Sequence, residues 1–166
     1  MKILVTGCLG FIGFNFIKKL SNKHEITGID NFKNFEKHKV NRLKNLKLEK
    51  KNFKLYNLNL ENKNNLKKIT NKNFHLILHL AAKPGVFESE ANPQIYVKKN
   101  ILMLTNVLQL AKNYKIKYFY FGSSSSVYGG ENFSENTKKL KPKSIYGLTK
   151  KMGEELVNYY SNTYKI

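Results

Sequence analysis

The sequence predicts an α/β protein built on a mainly parallel sheet. Two observations predict it. Short apolar runs alternate with stretches of helical spacing, which is the pattern of βαβ units. A glycine-rich turn closes the first apolar run and opens the first helical stretch.

Residues 2–6 (KILVT) are an apolar run ending at Gly7 and read as a buried strand. Residues 11–20 place Ile12, Phe16, Ile17 and Leu20 at helical spacing. Residues 24–30 (HEITGID) form a second strand. The polar stretch 34–48 reads as a helix with Val40, Leu43 and Leu46 as its apolar points. A third strand is expected at 53–58, a short helix at 63–69, and a fourth strand at 74–80 (FHLILHL). Asn92-Pro93 opens a long helix to about residue 114, with Pro93 suited to the first turn. A fifth strand follows at 117–121 (KYFYF), then Gly122 and four serines. Residues 129–143 read as loop, and a last helix runs from about 144 to beyond 160. Crossovers between parallel strands are expected to be right-handed.

Composition excludes several functions. The 166 residues make one domain, or one domain and part of another, and a chain of this length buries about 70% of its unfolded surface. Apolar residues are 41% and aromatics 13%, which excludes a disordered polar tail. One cysteine excludes a disulfide framework and a cysteine-rich zinc site, and four scattered histidines show no metal-ligand spacing. No metal is expected. The net charge is +19, but it comes from 29 lysines spread along the chain and a single arginine, Arg42. Phosphate-fork and base-edge readers favour arginine. With 22 asparagines alongside, the charge reads as the residue usage of an A/T-rich genome, and no nucleic-acid partner is expected. The first strand starts almost at Met1, and no apolar stretch approaches the ~20 residues of a membrane span. A cytoplasmic setting without membrane partners is the expectation.

The turn Thr6-Gly7-Cys8-Leu9-Gly10-Phe11-Ile12-Gly13 follows a strand and starts a helix. Glycines at 7, 10 and 13 allow a sharp turn, close approach of a ligand and tight helix–sheet packing. The free amides of that helix start, with the helix dipole, suit a pyrophosphate. The second strand ends in Asp30, where an acid can accept both hydroxyls of an adenosine ribose and would repel a 2′-phosphate. NAD is therefore favoured over NADP. An Asx turn with Asn31 is the plainer reading of Asp30, and an ordinary glycine turn that of residues 7–13. Cys8 reads as a small packing residue.

Tyr146 and Lys150 stand one helical turn apart and share a face. Ligands of open parallel sheets sit beyond the carboxyl ends of the strands. The serine turn after the fifth strand therefore puts Ser124 where a helix carrying Tyr146 can meet it. In order along the chain stand T-G-x-x-G-x-x-G, Asp30, His79-Leu80-Ala81-Ala82, the run SSSSVYG over 123–129, and Tyr146-x-x-x-Lys150.

Together these motifs resemble the extended short-chain dehydrogenase/reductase family in its NAD-dependent epimerase/dehydratase branch. They look most like UDP-sugar 4-epimerases, and GIDNF and NRLKNL look especially like UDP-glucuronate 4-epimerases. The resemblance covers nearly the whole chain. It implies a Rossmann-like, doubly wound parallel sheet, with residues 1–166 as the NAD-binding domain and the C-terminal substrate domain missing. By position, Tyr146 resembles the catalytic base, whose phenolate is favoured by the charges of Lys150 and the nicotinamide ring. Lys150 also resembles the holder of the nicotinamide ribose. Ser124 resembles the hydroxyl bonded to the reacting sugar oxygen, with Ser125 and Ser126 beside the substrate. Cofactor contacts are implied at Gly7, Gly10, Phe11, Ile12, Gly13, Asp30, Asn31, Asn57, Leu58, Leu80, Ala81, Ala82, Lys83 and Asn100, besides Tyr146 and Lys150.

The implied reaction is transient oxidation of a nucleotide sugar at C4, with NAD regenerated each cycle. Three positions depart from the family. Asn57 replaces an aspartate beside adenine, Phe87 an arginine of glucuronate-type enzymes, and Met103 a small residue. Ser125-Ser126 stand where dehydratases carry an Asp-Glu pair. The implied partners are a UDP-sugar and a second copy of the chain, meeting through the helices near 93–114 and 144–160. Because relatives run about twice as long, the chain is expected to be an N-terminal part. A non-catalytic NAD-binding fragment completed by a partner chain, or a related nucleotide-sugar dehydratase or reductase, stays open.

Overall fold

The structure, a computed structural model, describes residues 1–31, 37–49, 52–69, 73–130, 136 and 140–166. The expected helix start at 34–36, Phe32 of the GIDNF stretch and most of the expected loop at 129–143 lie outside the described residues.

Five strands form one sheet: β1 (Lys2–Thr6), β2 (Glu25–Asp30), β3 (Phe53–Asn57), β4 (Leu76–His79) and β5 (Tyr118–Phe121). Their order is β3-β2-β1-β4-β5 and every pairing is parallel. Helices α1 (Phe11–Leu20), α2 (Lys37–Glu49), α3 (Lys63–Leu66), α4 (Val86–Ala91), α5 (Pro93–Tyr96), α6 (Met103–Asn113) and α7 (Ile145–Tyr164) connect and follow the strands. The expected doubly wound α/β sheet is what the chain forms.

Strand alternation builds two cores. Ile3, Val5 and Ile26 point to one face, where Ile17 of α1 and Leu46 of α2 cover them. Leu4, Ile29 and Ile77 point to the other, against Leu66 of α3 and Val107, Leu110 and Ala111 of α6. A third cluster, Leu104, Leu108 and Tyr160, joins α6 to α7 beside β5. Central β1 is almost wholly buried because both faces are covered. Edge strand β5 exposes Tyr118 and Tyr120.

Three elements differ from expectation. The long helix expected at 93–114 is α5, a π-helical stretch Val97–Leu102 and α6. Helix α4 precedes it, in a stretch that carries no helical period. A 3-10 turn at Ser125–Tyr128 also winds the serine run. Among the described residues no helix is long and apolar enough to cross a membrane.

Candidate active site

The carboxyl ends of β1 to β4 open into a cavity of about 510 Å³ at the point where chain order reverses, between β1 and β4. Its floor is the glycine turn. Gly7 has φ +67°, and a Cβ there would lie 2.8 Å from the Ala81 backbone nitrogen, so the tips of β1 and β4 meet backbone to backbone. Gly10 heads α1 without a side-chain cap, leaving the first amides of that helix without carbonyl partners one turn earlier. Phe11 and Ile12 point their side chains outward, 72% and 64% exposed, and neither side chain lines the cavity. Cys8 is buried packing; burial, with Asp30 nearby, pushes its thiol well up.

Asp30 is buried at the end of β2. Its Oδ2 accepts from the Leu9 amide at 2.8 Å and its Oδ1 from the Asn31 amide at 2.9 Å, while Lys39 Nζ lies 3.6 Å from Oδ1. The bond to Leu9 ties the acid to the glycine turn, which a local Asx turn would not do. Each carboxylate oxygen keeps accepting capacity for a ribose hydroxyl. A cradle that a Cβ would fill, uncapped helix amides and a fixed buried acid fit a dinucleotide.

The opposite wall follows β4. Leu80, Ala81, Ala82, Lys83 and Pro84 line the cavity. The Lys83 amide donates to Asn100 Oδ1 at 2.7 Å, and Asn100 Nδ2 donates to Lys83 O at 3.2 Å and Thr149 Oγ1 at 3.0 Å. Asn100 therefore spends its side chain on the protein, fixing this wall. Lys83 Nζ pairs with Glu88 at 2.7 Å, which holds that carboxyl below its ordinary value. His79, beneath the wall, is buried with Nδ1 2.7 Å from Thr6 Oγ1. Burial first, and then the charge of Lys150, lowers it to about 3, so it stays neutral.

The second half of the site lies beyond β5. Ser144 caps α7, accepting from the Gly147 amide at 3.0 Å. A Cβ on Gly147 would lie 2.6 Å from Ser126 O, so the first turn of α7, which carries Tyr146, is seated directly on the serine turn. Ser124 Oγ accepts from the Ser126 amide at 3.2 Å and donates to Ser126 Oγ at 3.2 Å. Ser125 is exposed and Ser123 donates to Glu154. One turn after Tyr146, Lys150 is 4% exposed; its Nζ donates to Gly122 O at 2.7 Å and lies 6.0 Å from the Tyr146 ring centre. Burial lowers the Lys150 ammonium to about 8.

The structure thus gathers Tyr146, Lys150 and the serines in one cluster, and Gly7, Gly10, Asp30, Asn31, Leu58, Leu80, Ala81, Ala82 and Lys83 around the cavity. The two are neighbours joined by α4, since the cluster does not line that cavity. Asn57 is exposed at the end of β3 and stays outside the lining; the next residues, Leu58 to Glu61, take its place. The carboxyl-end rule points to them. Lys39 and Lys99 also line the cavity, where no local signal marks them, as does Met103, which departs from the family's small residue. Phe87 is 92% exposed and outside the cavity.

The model of the NAD dependent epimerase/dehydratase family matches residues 3–166. Protein CapI of Staphylococcus aureus is 35% identical over 100% of this chain and 51% of its own length. A probable UDP-glucuronate 4-epimerase of Rhizobium meliloti is 33% identical over 100% of this chain and 50% of its own. Among solved structures, a variant of the Bacillus cereus UDP-glucuronic acid 4-epimerase, in complex with UDP-4-deoxy-4-fluoro-glucuronic acid and NAD, superposes with a TM-score of 0.88 at 33% identity, over 100% of this chain and 54% of that one. The chain spans about half the length of the curated relatives it matches.

Proposed function

The chain belongs to the NAD dependent epimerase/dehydratase family, and from that premise we propose that it carries the cofactor-binding and proton-transferring part of an NAD-dependent UDP-sugar 4-epimerase. The family's cofactor is NAD, and the cradle described above fits it. The open amides of the first turn of α1, at Phe11 and Ile12, would hold the pyrophosphate, since those of residues 7–10 already bond the protein; Asp30 would hold the adenosine ribose and Lys150 the nicotinamide ribose. When bound, NAD supplies reversible acceptance of the hydride leaving the sugar C4.

This chain's own residues supply the rest. The Tyr146 side chain, as phenolate, would take the proton of the sugar 4-hydroxyl and, as phenol, would give it back to the same oxygen. The buried ammonium of Lys150 stabilises the phenolate by charge. Ser124 orients the sugar oxygen through a hydrogen bond. Ser125 and Ser126 offer no acid for an elimination, which favours epimerisation over dehydration. The exposed Leu102, Leu148 and Met152 support self-association through the helices that carry them.

The observation that carries this reading is the seating of the first turn of α7 on the serine turn, with Lys150 fixed one turn behind Tyr146. The test loads the chain with NAD and supplies UDP-glucuronate, UDP-glucose and their N-acetyl analogues, following the epimer ratio by NMR. The reading expects epimerisation of at least one sugar, abolished in Tyr146→Phe with NAD affinity unchanged. Turnover that survives in Tyr146→Phe removes Tyr146 from its role. A second reading, an NAD-binding module that a partner chain completes, is favoured by the exposed Tyr118 and Tyr120 of edge strand β5. NAD binding without turnover selects it.

A further inference from the structure

Helix α4 has no place in the reaction as described, yet two consecutive side chains of it hold the start of α7. The Ile145 amide donates to Glu90 Oε1 at 2.7 Å, and the Tyr146 amide donates to Ser89 Oγ at 3.0 Å. Ser89 is fully buried and its hydroxyl donates a hydrogen bond to Val86 O. These bonds satisfy two of the amides that a helix start leaves open, and Ser144 satisfies a third at Gly147. The negative charge of Glu90 also lies at the positive end of the 20-residue α7. From the same side, the buried Tyr96 sets its ring edge-on to the Tyr146 ring, centres 6.3 Å apart, and anchors its hydroxyl on Pro84 O at 2.8 Å.

We propose that Ser89 and Glu90 are positioning residues for Tyr146: α4 is a clamp that fixes the backbone from which the phenol projects. The proposal rests on the reading of Tyr146 as the base only for its consequence in catalysis; the clamp itself is a statement about two amides. Proton transfer is steep in geometry, and a misplacement of about 1 Å costs on the order of 100-fold in rate. Ser144 alone cannot supply this hold, because it bonds only the third of these amides. Glu90 acts at the solvent-facing edge and Ser89 in the interior, so the two can be removed separately.

The experiment measures amide hydrogen exchange across α7 in the full chain for Ser89→Ala, Glu90→Ala and Glu90→Gln. The clamp predicts exchange at residues 145 and 146 at least about 10-fold faster in both alanine variants, with the later turns of α7 unchanged. Glu90→Gln, whose amide oxygen still accepts, exchanges more slowly than Glu90→Ala. In the epimerisation assay the alanine variants lose about 10- to 100-fold in kcat while the NAD Kd moves less than about 3-fold. If Ser89→Ala fails to fold, the two Glu90 variants decide the question. Unchanged exchange at 145 and 146, or an equal loss of protection along the whole helix, overturns the clamp. A wild-type chain without turnover counts against the proposed function and leaves exchange to judge the clamp.

Discussion

The two halves of the site are built from different materials. On the β1–β2 side the cavity surface is mostly backbone, a glycine turn and open helix amides, with one side chain, the Asp30 carboxylate, locked by two main-chain N–H groups. On the β5 side it is side chains on one long helix, held by direct contact with the serine turn, Gly122 O and α4. The first half sits over the best-buried strand of the sheet, and the second over an exposed edge. A backbone-built site tolerates change of most side chains but not of a glycine. A side-chain site fails whenever the parts that aim it loosen.

The largest effect that tests this contrast comes from the paired glycines. Gly7→Ala introduces a Cβ at positive φ against the Ala81 main chain, which cannot retreat, and should cost on the order of 3 kcal/mol along with NAD binding. Gly147→Ala meets Ser126 O and should cost about 1–3 kcal/mol, displacing the serine turn and stopping turnover while NAD still binds. Denaturant melts and NAD titration of both variants separate the two outcomes. Equal loss of NAD affinity in both would erase the distinction between the halves.

A smaller effect is a pH slope. Lys150 is held at about 8 by burial, against an ordinary value near 10.5. Between those values the unfolded chain binds a proton that the folded chain does not, so stability attributable to this group rises with pH across the window. Below about 8 the burial penalty is present in full. The difference in unfolding free energy between the wild type and Lys150→Met should therefore move in the wild type's favour from pH 8 to about 10.5. A flat difference means that the ammonium is better solvated than its position indicates.

The same contrast explains what was legible in the sequence. Strand runs such as 53–58 and 117–121 stand within a residue of β3 and β5, because apolar runs between polar turns need only local information. The glycine turn and Asp30 were equally plain, since their chemistry is written in consecutive residues and one strand end. Helix α4 was not, because what settles VFESEA is its grip on amides 55 to 57 residues away. The π-helical stretch was hidden for a like reason: Asn100 within it bonds Lys83 and Thr149, neither of them local. The resemblance puts Asn57 at the adenine, yet on this side the cavity lining begins at Leu58, and Asn57 ends the strand on an exposed position.

The central claim is that this chain holds NAD across the strand tops with Asp30 on its ribose, and calorimetric titration tests it most directly. The account predicts saturable binding of one NAD per chain, weaker binding of NADP, and an Asp30→Asn variant in which NAD affinity falls about 10-fold and the preference over NADP narrows. No binding of NAD, or binding that is indifferent to Asp30, would contradict it.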